Sequence, residues 1–120
     1  MNIRTEIHNG VELALIDSDE MLIVDVPSAL DLMATVWHQS GSNRMVLDKS
    51  AIHEDFFELR SGLAGEIIQK FINYRMKVAI VGDFSVYSSK SLKDFIYECN
   101  KGNDLFFLPT ERQAIEKLSQ

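Results

Sequence analysis

Two runs of apolar residues without a polar interruption, Val78 to Val81 and Leu105 to Leu108, restrict this chain more than any other feature. A strand with one wetted face alternates apolar and polar residues. A run that is apolar at every position must be covered on both faces, as in parallel sheets built from strand-helix-strand units. The segments before and between the runs supply the helices. Leu63, Ile67, Ile68, Phe71 and Ile72 recur at helical spacing over 63–74, and Leu92, Phe95, Ile96 and Cys99 do so after Ser91. Met45 to Leu47 reads as a further short strand, and Ala114, Ile115 and Leu118 mark a closing helix.

The amino-terminal part follows another rule. Residues alternate from Ile3 to Ile7, Asn9-Gly10 is a two-residue hairpin turn, and Val11, Leu13 and Leu15 resume the alternation. After a short apolar stretch, Met21 to Val24, Pro27 and Ser28 open a helical pattern that Gly41 ends; Leu30, Met33, Ala34 and Trp37 share its predicted inward face. The expected fold is α/β: an amino-terminal β-hairpin followed by β-α units, with a mixed, mostly parallel sheet. With 120 residues, 46% of them hydrophobic, the chain fits a single domain over 1–120. A domain of that size buries roughly two thirds of its unfolded surface and needs no disulfide or metal to hold a core.

Charge narrows the partners. The net charge is −6 and the cations are scattered among acids, so no basic stripe is available to neutralise a phosphate backbone. Nucleic acid and anionic membrane are not expected partners. No apolar run approaches the roughly 20 residues that span a bilayer, and the first ten residues lack an apolar signal core. With a single cysteine, Cys99, the chain reads as cytoplasmic.

Strand-to-helix connections in such folds usually take about 2 to 6 residues, and longer ones tend to be functional or disordered. Two here are long, Asp48 to Ser61 and Asp83 to Ser91. Both leave the carboxyl ends of parallel strands, the edge where open α/β sheets hold ligands. Ser61 precedes a helix and reads as its N-cap; Ser91 with Asp94 and Thr110 with Gln113 read as capping boxes. Asp48 and Asp83 are either caps and turn formers or a base. Phe56 and Phe57 are either core plugs or an apolar contact for a partner. His8, His38 and His53 have no ligand spacing to one another, so no metal is expected; Gly62 and Gly65 lack the rest of a dinucleotide fingerprint, so no cofactor is expected, and Cys99 falls on an inward stripe.

From Arg44 onward, the strand "RMVLD", the helix opening "SGLAGEIIQKF", "KVAIVGDF" and the closing "LFFLPTERQAIEKL" resemble the STAS domain, the fold of bacterial anti-sigma-factor antagonists. Nearly the whole chain, through "LDLMATV", "EDFFELRSGLAGEIIQKFINY", "AIVGDFS" and "SKSLKDFIYECNKG", is also similar to the bacterial family called domain of unknown function 4180. The first resemblance implies a site. In the antagonists, the helix after the middle strand begins with an Asp-Ser-Ser-Gly-like motif whose second serine a partner kinase phosphorylates. Ser61, followed by Gly62 and Leu63, stands at that place, while Leu59 and Arg60 replace the acid and the first serine.

The expected function is a non-enzymatic regulatory module. It would bind a protein partner through the edge bearing Asp48, Phe56, Phe57, Arg60, Ser61, Gly62 and the loop with Asp83, Ser85, Tyr87, Ser88, Ser89 and Lys90. One alternative is a small-molecule or nucleotide sensor on the same edge, with Ser61, Ser85, Ser88 and Ser89 as hydroxyl donors and Lys90 as anion partner. A second alternative is an enzyme with Asp48 or Asp83 as base.

Overall fold

Every strand the pattern implies is present in a computed structural model that describes residues 1–120. The strands β1 (Asn2–His8), β2 (Val11–Asp17), β3 (Arg44–Asp48), β4 (Lys77–Val81) and β5 (Leu105–Leu108) form one sheet in sequence order. Strand β1 pairs antiparallel with β2, across the turn in which Asn9 and Gly10 take φ of 52° and 75°. Such a left-handed pair matches the twist of the strands it joins, which is why Asn-Gly suits it. From β2 to β5 all pairing is parallel, so the strands near Met45, Val78 and Leu105 run together as expected.

The helices α1 (Val26–Ser40), α2 (Leu63–Asn73) and α3 (Lys90–Lys101) are the crossovers, and α4 (Glu111–Leu118) follows β5. The pleat sorts the strand side chains. Ala14, Ile16, Met45, Leu47, Val78, Ile80, Leu105 and Phe107 face α1, α2 and α3, whereas Leu13, Leu15, Val46, Ala79 and Phe106 face Ala114 and Leu118 of α4. Covering both faces is what lets the runs at β4 and β5 be apolar throughout. No helix is long and apolar enough to cross a membrane.

Several local expectations need correction. On α1 the buried residues are Ala29, Leu32, Met33 and Val36; the predicted stripe of Leu30, Ala34 and Trp37 is rotated to the side, and Trp37 is 56% exposed. The helix carries two apolar stripes sharing Met33, and periodicity alone does not choose between them. On α2 the buried face is Ala64, Ile67 and Phe71, with Ile72 exposed. The α3 cap is Ser89, which accepts from Leu92 N at 3.2 Å, and not Ser91. Helix α1 opens at Val26, just before Pro27 and Ser28, with Asp25 as its N-cap and Ser28 closing the capping box at N3. At α4 the Thr110 hydroxyl accepts from Gln113 N at 3.2 Å as expected, but it also donates to Gln113 Oε1 at 3.1 Å, so that side chain accepts from the hydroxyl and not from the Thr110 N–H.

Both long connections gather at the carboxyl edge. The first folds into short 3-10 turns over Lys49–Ala51, Glu54–Phe57 and Leu59–Ser61. It is tied down by Ile23, which bridges to Ile52 in parallel and whose carbonyl accepts from His53 N at 2.8 Å. The short apolar stretch at Met21 to Val24 thus anchors this loop.

Candidate functional site

The two loops meet through side chains. The Tyr87 ring stacks on Phe57 with centroids 5.2 Å apart and planes 18° apart, and its hydroxyl donates to the Glu54 carboxylate at 3.0 Å. Burial and the Glu54 carboxylate both hold that phenol protonated well above the usual tyrosine range. Lys49 Nζ lies 4.7 Å from the Tyr87 centroid on a side chain whose β-carbon packs against Gly82. A Cβ at position 82 would stand 2.7 Å from Lys49 Cβ, so the glycine is what allows this approach.

Between the loops lies an open groove of about 450 Å³. Glu54, Asp55 and Glu58 line one wall, Val86, Ser88 and Ser89 the other, and Phe57 lies below. Its acids were not singled out by motif; their signal is the spacing of "HEDFFE", where two aromatics turn inward and the three acids outward. Phe56 and Phe57 are 1% and 5% exposed, which corrects the expectation that they offer an apolar contact to a partner. They plug the carboxyl end of the core against Phe107, at centroid distances of 6.4 Å each.

The polar residues expected at this edge are largely committed to local bonds. Asp48 accepts from Ser50 N at 2.9 Å and caps the first 3-10 turn. Asp83 accepts from the Ser85 hydroxyl at 2.5 Å and from Ser85 N at 3.0 Å, and these bonds hold its carboxyl below the usual range. Lys90 pairs with Asp94 at 2.7 Å, Ser89 caps α3, and Arg60, on a side chain 92% exposed, pairs with Glu58 at 3.3 Å. Only the Ser88 hydroxyl among the expected donors makes no bond within the chain. Asp48 and Asp83 therefore behave as turn formers: Asp48 holds a backbone N–H two residues on, and the Ser85 hydroxyl and N–H on Asp83 close a local turn of the same span.

Ser61 departs from a simple cap. The N-cap of α2 is Gly62, in the left-handed region at φ 77°, and Ser61 ends the preceding 3-10 turn. Its hydroxyl donates to Asp55 O at 2.6 Å and accepts from Leu63 N at 3.2 Å, so it still satisfies one free N–H of the helix while pinning the acidic wall. The side chain is exposed. Cys99 is half-buried, and burial together with the Glu98 charge pushes its thiol up to about 11, far from a thiolate nucleophile. No group of three or more His, Cys, Asp or Glu side chains is placed to hold a metal ion.

At the opposite edge, α1 and the end of α2 splay around a second groove of about 430 Å³. Leu30, Ala34 and Trp37 face Tyr74 and Met76 across it, with His38 and Asn43 at its mouth. Sequence reasoning missed it because it assigned Trp37 to the core. A helix apolar over more than one stripe is the signal that would have found it.

An edge-hairpin α/β domain with an acidic groove at its carboxyl edge is the class this geometry defines. Residues 8–118 match the model of the family described as Domain of unknown function (DUF4180), and the chain belongs to that family. No curated protein and no solved structure matches the chain.

Proposed function

We propose that this protein is a non-enzymatic, regulatory protein-interaction module of STAS-like organisation, whose partner docks a basic segment into the carboxyl-edge groove. The observation that carries the reading is the groove itself, where Glu54, Asp55 and Glu58 face Val86 across an open cleft. Val86 is 63% exposed and offers an apolar contact beside the acids, the mixture that protein interfaces use. Complementary charge of this kind mainly speeds and orients encounter. The helix that follows the middle strand and starts at Ser61-Gly62-Leu63 supports the STAS-like reading.

Ser61 fits a switch in this scheme through what its hydroxyl does. A phosphate there would remove the donor to Asp55 O and place about two negative charges beside Asp55 and Glu58, with Arg60 as the adjacent cation. The wall would loosen and a basic partner would gain charge to bind. The test is quantitative affinity capture from the native host with wild type and Asp55→Lys/Glu58→Lys, both shown to be folded. The reading expects proteins held by wild type to be lost from the variant and released by salt. Identical captured sets would overturn it.

One observation favours a second reading, a small-molecule sensor: the groove beside Trp37 and Tyr74 has the size and apolar lining of a ligand pocket. Trp37 is the chain's single tryptophan, so a ligand there would quench or shift its fluorescence. A Trp37→Phe variant that binds no ligand taken by wild type would support it.

A further inference from the structure

On the α4 side of the amino edge, Arg44 at the start of β3, Lys77 at the start of β4 and Lys117 near the end of α4 line one small pocket of about 110 Å³. The chain has 18 acidic and 12 basic side chains, so acids are in excess to pair with cations. Arg4, Arg60, Lys90, Lys101 and Arg112 each have a carboxylate partner. Arg44, Lys77 and Lys117 have none. Lys49, Lys70, Arg75 and Lys93 also lack an ion pair, but Arg44, Lys77 and Lys117 are gathered at one place, and all three are half-buried.

Their bonds within the chain leave donors to spare. Arg44 Nη1 donates to Leu118 O, and Lys77 Nζ donates to Asn103 O at 2.9 Å. Lys117 Nζ rests 5.2 Å from the Phe106 centroid. A guanidinium carries five N–H donors and an ammonium three, so one bond each for Arg44 and Lys77 leaves most of their donors free. Three like charges with no acidic side chain among the lining residues repel one another in a partly desolvated pocket, and an anion relieves that repulsion.

We propose that this pocket binds a free tetrahedral oxyanion of the phosphate or sulfate type. The chemistry follows from the donor set, because a planar guanidinium fork with two ammonium groups recognises such oxygens through charge-assisted bonds. The pocket is small, about 110 Å³ against about 430 and 450 Å³ for the two grooves, which favours a compact free ion over a nucleotide.

The test is an NMR titration of the protein with inorganic phosphate, sulfate and, at matched ionic strength, chloride. Phosphate and sulfate should shift the Gly102 and Asn103 amides saturably, and chloride should not. Lys77→Gln/Lys117→Gln should weaken phosphate binding about tenfold or more, because it removes two charged donors. Lys70→Gln/Lys93→Gln, equal in net charge but remote from the pocket, should stay within about twofold of wild type. Glycerol 3-phosphate should bind more weakly than phosphate; equal or tighter binding would overturn the free ion in favour of a phosphomonoester. Shifts shared by chloride, or equal losses in both double variants, would overturn the site altogether.

Discussion

Single side chains at this protein's turns do most of their work through hydrogen bonds to neighbouring backbone. Asp25 accepts from Ser28 N at 2.9 Å, and that bond, followed by the one from the Ser28 side chain, holds its carboxyl below the ordinary 3.8; Asp83 is lowered first by the Ser85 hydroxyl and then by the Ser85 N–H. Because the folded value is depressed, the stabilisation is fully present above 3.8 and is lost as pH falls through each folded value. Carboxyl carbon NMR titration should place both midpoints below 3.8, and Asp25→Asn should flatten the acid limb of the stability curve. Glycine positions give a second test. Gly82→Ala drives a methyl to 2.7 Å from Lys49 Cβ, close to backbone that cannot swing aside, and should cost about 1 to 3 kcal/mol in chemical denaturation. Gly65→Ala on α2 meets nothing within 4 Å and should instead stabilise by about 0.5 to 1 kcal/mol. Equal effects at the two sites would refute the close approach at Gly82.

At the scale of elements, the first long loop behaves as part of the core. Truncating a buried aromatic typically costs about 3 to 5 kcal/mol, and Phe56→Ala and Phe57→Ala should each do so, while Val86→Ala, on the exposed rim, should stay within about 0.5 kcal/mol. Thermal and urea unfolding of the three variants separates these outcomes. Strand β5 shows how an element is finished. It forms a sheet edge, and the Asn100 side chain of α3 donates to Phe107 O at 3.1 Å and accepts from Phe107 N at 2.8 Å. One amide thus stands in for the missing strand and blocks an edge that would otherwise recruit another chain. Asn100→Ala should cost about 1 to 3 kcal/mol and raise the tendency to associate, visible by light scattering.

The whole molecule is held by one sheet shared between two cores. Leu118 on α4 and Val36 on α1 lie on opposite faces, joined only through strands whose side chains alternate between them. Loss of packing on one face should therefore be felt on the other. Leu118→Ala should cost about 2 to 5 kcal/mol, and Trp37 fluorescence, across the sheet, should report the same lowered midpoint as far-UV circular dichroism. Separate midpoints would mean that α4 unfolds on its own. Charge is also distributed at this scale, with acids around the carboxyl-edge groove and the unpaired Arg44, Lys77 and Lys117 at the amino edge.

Local pattern was enough to determine the strands, the helices, their order and the parallel pairing, because alternation, helical spacing and the Asn9-Gly10 turn are properties of neighbouring residues. The doubly apolar runs at β4 and β5 even carried the two-sided cover. The tertiary structure decided which of two apolar stripes on α1 turns inward, that Phe56 and Phe57 fill the core, and that Gly62 rather than Ser61 caps α2. Each of these depends on groups far along the chain or on a backbone angle that neither spacing nor composition encodes: Phe107 beneath the aromatics, Asp55 holding the serine hydroxyl, α2 beside Trp37. The candidate grooves belong to the same class, since a cleft is made by two elements meeting and exists in neither segment alone.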